Sequence, residues 1–217
     1  MPPPDTAASS HVAHDDSGLR RLLTLPQAYD AFQTLIGGDA YRRWYIDTLL
    51  QPRADMTILD IGCGPGTMLP FLPVGVRYVG FDMNPRYIAH AQATFGHRAQ
   101  FFARHVDATP VATAGCDAVM ANAILHHLDD AQAEQLVDTA WQQCKPGGFL
   151  LTYDNASVPE QSRLARWIIG RDRGRHVRTP EQYLTLARRR FARIETTLRH
   201  DGYRIPYTLF TMKCWRD

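Results

Sequence analysis

The sequence is poor in several features that mark special classes of protein. Its 217 residues include only four cysteines, Cys63, Cys116, Cys144 and Cys214, and no two of them form a C-x-x-C pair. This spacing argues against a disulfide framework or a cysteine-based zinc site, and it favours a reducing compartment, the cytoplasm. No apolar run approaches the roughly twenty residues that a membrane-spanning helix needs. We therefore expect no membrane partner.

The sequence also lacks an excess of either sign of charge, because the formal net charge is only +2. A balance so close to neutrality gives no reason to expect nucleic acid as a partner. The first residues lack the basic segment and the following apolar segment that mark a secretory signal. With a hydrophobic content of 45%, the chain is predicted to form one cytoplasmic α/β domain with a sizeable core.

The chain divides by its composition into a tail, a helical segment and a core. Residues 1–17 are rich in Pro, Ser, Ala and Asp without periodicity, which predicts a disordered tail. Residues 18–50 carry apolar side chains at helical spacing, interrupted by Pro26 and by Gly37 and Gly38. This pattern predicts two or three short helices that form a lid over one end of the core. We expect residues 18–217 to make one domain, with the core at residues 51–217.

Strand and helix patterns alternate along the core. The patterns predict strands at 57–61, 78–82, 100–103, 118–121 and 149–153, and helices at 67–72, 85–95, 131–144, 160–169 and 180–191. Such alternation predicts a parallel, doubly wound sheet that binds ligands at the carboxyl ends of its strands. Two further extended segments, 193–198 and 208–214, predict an antiparallel hairpin at one edge, so the sheet should be mixed.

A glycine turn follows the first predicted strand. Residues 58–66 read ILDIGCGPG, in which Gly62, Gly64 and Gly66 are two positions apart, and Asp82 ends the next strand. Glycines there let the backbone approach a ligand closely, and an acid at Asp82 suits a ribose diol. The G-x-G-x-G spacing departs from the dinucleotide fingerprint, which leaves NAD as the weaker alternative, and no P-loop motif is present. The pattern predicts a nucleoside-containing cofactor.

Five motifs occur in an order that resembles one family. Residues 58–66, 79–82, 105–108 (HVDA), 117–130 and 145–148 (KPGG) resemble the class I S-adenosylmethionine-dependent methyltransferases, over about half of the chain. The motif LHHL at 125–128 resembles motifs of the small-molecule branch of this family, which includes quinone-biosynthesis methyltransferases. The resemblance implies a Rossmann-like sheet of seven strands, S-adenosyl-L-methionine as cofactor and S-adenosyl-L-homocysteine as product.

The resemblance also assigns cofactor contacts to residues at the strand ends. Asp60 would orient the ammonium group, Asp82 would hold the ribose hydroxyls, and Asp107 would accept the adenine amino group. The remaining cofactor-binding residues would be Gly62, Cys63, Gly64 and Gly66 in the turn, Met83 and Ala108 at the adenine, and Asn122 and Ala123 near the methionine part. No metal ligand set is expected.

Catalysis of methyl transfer needs little more than alignment of the reactants, with a general base for acceptors that must lose a proton. His126 and His127 follow the fourth predicted strand, and Tyr153 ends the fifth, so all three are candidates. Histidine is suitable because its pKa lies near neutrality, and His127 is slightly favoured. The alternative is that both histidines only begin a helix.

Acceptor recognition is predicted from aromatic and arginine side chains. Tyr29, Tyr41, Trp44 and Tyr45 belong to the predicted lid, although each also fits ordinary core packing. Arg171 and Arg173 lie in a segment that is rich in arginine and suits a carboxylate or phosphate. A solvated face and an RNA-binding strip are alternative interpretations of that segment. A small-molecule acceptor is the first hypothesis, with an RNA or protein methyltransferase and a non-catalytic binding protein as alternatives, and a monomer or homodimer is expected.

Overall fold

A computed structural model describes residues 37–107, 109–159, 161, 176–203 and 207–217. Several predictions fall outside these residues and keep their status as predictions. They are the tail at 1–17, the first part of the lid with Tyr29, the residue Ala108, the helix at 160–169 apart from Gln161, and the arginines Arg171 and Arg173.

The described strands form one mixed sheet of seven strands, as the sequence predicts. The order is β3-β2-β1-β4-β5-β7-β6. The strands are β1 (Thr57–Ile61), β2 (Arg77–Phe81), β3 (Ala99–Phe102), β4 (Cys116–Asn122), β5 (Cys144–Asn155), β6 (Arg193–Arg199) and β7 (Leu209–Trp215). The first five are parallel, and β7 inserts antiparallel between β5 and β6. The strand order reverses at β1 and β4, which places the ligand crevice of such folds at their carboxyl ends.

Four helices of the described residues cover the sheet, and two of them begin with a capping box. Helix α1 (Gly38–Trp44) continues as a π-helical segment (Tyr45–Leu50), and it is followed by α2 (Pro85–Phe95), α3 (Asp130–Gln143) and α4 (Pro180–Arg188). Asp129 begins α3 with a capping box to Gln132, and Thr179 begins α4 in the same way with Gln182. These reciprocal bonds satisfy N–H groups that a helix start leaves unpaired.

The helix predicted at 67–72 is wrong. The chain forms turns there and a single 3-10 turn at Leu69–Phe71 that contains Pro70. Leu72 precedes Pro73 and is extended, with φ −89° and ψ 143°. A residue before proline avoids the helical region because the proline ring collides with it, so the segment cannot continue as a helix.

The core has one apolar layer on each face of the sheet. Leu59, Val119 and Leu150 face α3 and α4, whereas their neighbours Ile58, Met120 and Leu151 face α1, its π-helical continuation and α2. All six are buried because the parallel strands are covered on both faces. Within the described ranges, no helix is long and apolar enough to cross a membrane.

Candidate active site

The glycine turn after β1 is held against the end of β2. The N–H groups of Gly62 and Cys63 both donate to the Phe81 carbonyl, at 2.7 and 3.0 Å. Gly62 and Gly64 have positive φ angles of 76° and 55°. A Cβ atom at Gly62 would lie 2.7 Å from the Ile124 side chain, whereas one at Gly64 would meet nothing within 4 Å. The turn is therefore packed below and open above Gly64, where a ligand can approach the backbone.

Replacing Gly62 with alanine should destabilise the fold by about 2 kcal/mol, because left-handed backbone strain adds to the shift that the Cδ1 end of Ile124 must make. Gly147 provides a matched control because it has the same φ of 76° and open space around it. We expect Gly147→Ala to cost only about 1 kcal/mol. Urea unfolding of both variants measures the difference, and equal losses would show that the contact with Ile124 does not constrain the turn.

Asp82, directly after β2, connects the glycine turn to the start of α2. Its Oδ2 accepts the Gly64 N–H at 2.9 Å, and its Oδ1 accepts the Asn84 N–H at 2.7 Å. These two contacts orient the carboxylate between the glycine turn and the start of α2. The next side chain, Met83, is 56% exposed, which is high for a methionine. Asp82 and Met83 thus present a carboxylate and an apolar side chain beside the open turn.

Asp60 lies at the carboxyl end of β1 and is almost completely buried. Its Oδ2 accepts a hydrogen bond of 2.5 Å from the Tyr78 hydroxyl. Burial raises the pKa of the Asp60 carboxyl to about 7, which the Tyr78 bond offsets in part and the nearby Asp82 charge reinforces. A buried acid of this kind gains most from a cation placed beside it.

The raised pKa of Asp60 predicts how stability depends on pH. Above about pH 4 the unfolded chain has an ionised Asp60, while the folded chain keeps the proton until about pH 7. The native state therefore binds more protons in this window, and stability falls as pH rises through it. Asp60→Asn should remove this loss. The free energy of unfolding of the variant, measured relative to that of the parent, should therefore rise by on the order of 2–4 kcal/mol between pH 4 and pH 8. Urea unfolding at both pH values tests this, and a pH-independent difference would contradict it.

Asn122 at the end of β4 carries a buried donor without a partner. Its Oδ1 accepts the Tyr45 hydroxyl at 2.7 Å, whereas its Nδ2 makes no hydrogen bond. Ala123 follows in the left-handed region at φ 54°, and its N–H donates to the Tyr153 carbonyl at 2.7 Å. A buried unsatisfied N–H costs about 1–3 kcal/mol. A ligand oxygen at this position would remove that cost.

The segment Leu125–Leu128, here called the histidine turn, places its two histidines differently. His126 is buried, and its Nδ1 lies 2.8 Å from Oδ1 of Asp154, which also accepts the His126 backbone N–H at 3.1 Å. Burial raises the pKa of Asp154, and its Oδ2 has no hydrogen-bond partner. His127 is exposed, with its ring 4.1 Å from that of His126. The two histidines thus differ in burial and in partners, and the general base that the sequence places at one of them remains a prediction.

Tyr153 lies in a packed group of tyrosines. Its ring packs edge to face against those of Tyr41 and Tyr45, with ring centroids 5.1 and 5.5 Å apart, and all three side chains are buried. Burial raises the pKa of Tyr153 well above its usual range, which argues against a proton acceptor at neutral pH. Trp44 is half-buried, with the Arg199 guanidinium 4.1 Å above its ring. Tyr41 and Tyr45 thus serve core packing in this structure, and their acceptor contacts remain a prediction.

Asp107 follows β3 and is exposed on the surface. It accepts the Thr109 N–H at 2.9 Å and pairs with Arg104 at 3.2 Å. The bonds from Thr109 lower the pKa of Asp107 most, and the Arg104 charge adds to this. Arg104 lies over the rings of Phe81 and Phe102. The adenine contact predicted for Asp107 remains a prediction.

The sequence analysis did not find two contacts of the site, the bond from Tyr78 to Asp60 and the pairing of His126 with Asp154. The pairing has a signal in the sequence, because β4 and β5 are neighbours and an acid at the end of one can reach the residues after the other. Tyr78 has no such signal, since its hydroxyl reaches Asp60 only through the register of β1 and β2. Among the described residues, no cluster of histidine, cysteine and acidic side chains could hold a metal ion.

The fold and the site define a class of protein. A seven-stranded sheet of this order, with a glycine turn after β1 and an acid after β2, is the arrangement of class I methyltransferases, and the resemblance seen in the sequence is confirmed. Residues 37–190 match the family model described as "Methyltransferase domain". The chain belongs to this methyltransferase family.

Curated relatives agree with this assignment. The chain is 33% identical over 106 residues to an uncharacterized methyltransferase of Mycolicibacterium vanbaalenii, a match that covers 48% of this chain and 41% of the relative. It is 31% identical over 104 residues to a ubiquinone biosynthesis O-methyltransferase of a Methylobacterium species, covering 46% and 41%. The matched part of the chain thus spans less than half the length of these relatives.

A solved structure extends the similarity to nearly the whole fold. The chain superposes on Haemonchus contortus phosphoethanolamine N-methyltransferase 2 in complex with S-adenosyl-L-methionine, with a TM-score of 0.71. The match covers 91% of this chain and 59% of that protein at 15% sequence identity. At this identity the comparison shows a shared fold.

Proposed function

We propose that this protein transfers a methyl group from S-adenosyl-L-methionine to a small-molecule acceptor by in-line displacement, with S-adenosyl-L-homocysteine as the other product. The observation that carries the proposal is the Asp82 carboxylate, bonded to the Gly64 N–H beside a glycine turn that is open above. The family assignment of residues 37–190 supports it. A relative named for ubiquinone biosynthesis supports a small-molecule acceptor.

The residues present suit this cofactor from end to end. Asp60 offers a buried carboxyl for the ammonium group, the glycine turn leaves room for the methionine part, and Asp82 offers oxygens for the ribose hydroxyls. The exposed Met83 would cover one face of the adenine, and the unpaired Asn122 Nδ2 would donate to an oxygen near the methionine part. When bound, the cofactor supplies a methyl group on an already activated sulfonium.

The task left to the protein is to orient the acceptor, exclude water and remove a proton where the acceptor has one to lose. We propose His126 as the base. The Asp154 Oδ1 contact at Nδ1 fixes the orientation of the ring and leaves Nε2 as the atom that takes the proton. Asp154 also stabilises the imidazolium that results, as a buried carboxylate does for a neighbouring cation.

The wider organisation is part of the proposal. Residues 18–217 would form one methyltransferase domain, in which residues 18–50 act as a helical lid and residues 1–17 as a tail. Arg171 and Arg173 would favour an anionic acceptor, and Tyr29 would line the acceptor pocket beneath the lid. The protein would work in the cytoplasm as a monomer or homodimer, without nucleic acid as its partner.

A transfer assay separates this proposal from its alternatives. The protein is incubated with methyl-labelled S-adenosyl-L-methionine and, separately, with a metabolite extract, total RNA or a protein extract from one cell type. We expect label in small molecules that gain one methyl group, and none above background in the macromolecules. Label in RNA or protein would contradict the small-molecule acceptor. Cofactor binding without label in any fraction would favour a non-catalytic binding protein.

A further inference from the structure

Arg178 is a buried arginine whose hydrogen-bonding capacity is used within the protein. Its side chain is only 6% exposed, although it follows a stretch of the sequence that is rich in arginine. A guanidinium has five N–H donors. The structure gives it five contacts, from Nε to Asp130, from Nη1 to the carbonyls of Leu125 and His176, and from Nη2 to Leu128 and Asp130. No donor remains for an anionic acceptor, so Arg178 has a different role from the one that its neighbourhood in the sequence suggests.

The contacts of Arg178 enclose the histidine turn. Nη1 binds the Leu125 carbonyl at 2.8 Å and Nη2 binds the Leu128 carbonyl at 2.9 Å. These two carbonyls flank His126 and His127 in the chain. Asp130 holds the far side of the guanidinium at 2.7 Å and is itself 84% exposed. One planar group thus fixes both ends of the turn that carries the proposed base.

The backbone around Arg178 joins the histidine turn to the end of β5. The His176 N–H donates to the His126 carbonyl at 3.0 Å, and the Ser157 N–H donates to the Arg178 carbonyl at 3.0 Å. Ala156 forms a parallel bridge with Arg178 just beyond β5. Asp154 is two residues before Ala156. The residues around Arg178 therefore contact both segments whose separation sets the distance from His126 to Asp154.

We propose that Arg178 is a positioning residue that holds the histidine turn in register with the end of β5, so that the His126 ring stays on the Asp154 carboxylate. This inference rests on the proposed role of His126 as the base. Arg178 acts through the two carbonyls of the turn, since its donors are all used within the protein. Lysine cannot replace it, because an ammonium is a single point donor and cannot span both carbonyls and Asp130.

The test is a ¹⁵N NMR spectrum of the histidine rings, recorded at one pH on the full chain with S-adenosyl-L-homocysteine added. In the parent protein we expect one pattern of ring nitrogen shifts for His126, set by its hydrogen bond at Nδ1. Arg178→Lys should replace this pattern with exchange-averaged shifts. Arg190→Lys is the matched control, because Arg190 also joins the region after α4 to α3, by a two-pronged contact with Asp138, without contacting the histidine turn.

A second variant keeps the test decisive if Arg178→Lys does not fold. Asp130→Asn removes only the charged partner at the surface, and it should shift the His126 signals in the same direction by a smaller amount. Unchanged His126 signals in whichever of the two variants is folded would overturn the inference. Calorimetry with S-adenosyl-L-homocysteine distinguishes failure of the proposed function from failure of the role proposed for Arg178. Absence of binding to the parent protein would contradict the proposed function. The His126 signals of the variants test only the role of Arg178.

Discussion

Asp82→Ala should weaken the binding of S-adenosyl-L-homocysteine by about 1–3 kcal/mol, roughly a five- to 150-fold rise in Kd. Two effects combine in this loss. The ribose hydroxyls lose a charged acceptor, and the Gly64 and Asn84 N–H groups lose the carboxylate that now orients them. The effect should therefore exceed that of one neutral hydrogen bond. Isothermal titration calorimetry at fixed pH and salt measures it.

The control for Asp82 is Asp138→Ala, which removes an acid of the same type from α3, where it pairs with Arg190. We expect an unchanged Kd in this variant. Asp82→Asn keeps the size of the side chain and should fall between the parent and Asp82→Ala. A Kd for Asp82→Ala equal to that of the parent protein would remove Asp82 from the ribose site.

His126→Gln should lower the turnover of an acceptor that must lose a proton by about 10²–10⁴-fold, the usual contribution of a positioned general base. Glutamine keeps a donor near the buried Asp154, so the fold should tolerate the change better than alanine. Binding of S-adenosyl-L-homocysteine should be unchanged, because no cofactor contact is assigned to His126. Single-turnover rates with an acceptor from the transfer assay, measured beside the binding constant, check both expectations.

The neighbouring histidine is the control for this experiment. His127 is exposed, and the bond to Asp154 belongs to His126. His127→Gln should therefore retain turnover within a few-fold of the parent. Full turnover in His126→Gln would show that His126 is not the base. A loss confined to His127→Gln would assign that role to His127.

Local patterns in the sequence were sufficient for most of the fold. The apolar run before Gly62 and the acid at position 82 predict β1, β2 and the turn between them, because strand ends and glycine turns depend on nearby residues. The helix predicted at 67–72 failed for a local reason as well, since Pro70 and Pro73 outweigh the apolar spacing there. The hairpin of β6 and β7 was predicted, whereas the insertion of β7 between β5 and β6 depends on contacts between distant segments.

The site was less accessible to prediction because its pairs are distant in the chain. His126 and His127 are adjacent residues of the same type, and it is their burial and the bond from His126 to Asp154 that distinguish them. Tyr45 fits a lid that faces an acceptor, yet its hydroxyl reaches Asn122 from within the core. Arg178 belongs to an arginine-rich stretch of sequence, and its burial distinguishes it from the exposed Arg188, Arg189 and Arg190. In each case the contacts that decide the role join residues far apart in the chain, so local spacing alone does not specify them.

Calorimetric titration of the full chain with S-adenosyl-L-methionine, S-adenosyl-L-homocysteine and NAD, under one set of conditions, tests which cofactor the protein binds. We expect saturable binding of the first two at one site per chain, and much weaker binding of NAD. The open glycine turn, the buried Asp60 and the oriented Asp82 favour a ligand with one adenosine and a cationic amino acid. Absence of binding by both sulfur compounds, or tighter binding of NAD, would contradict the proposed cofactor.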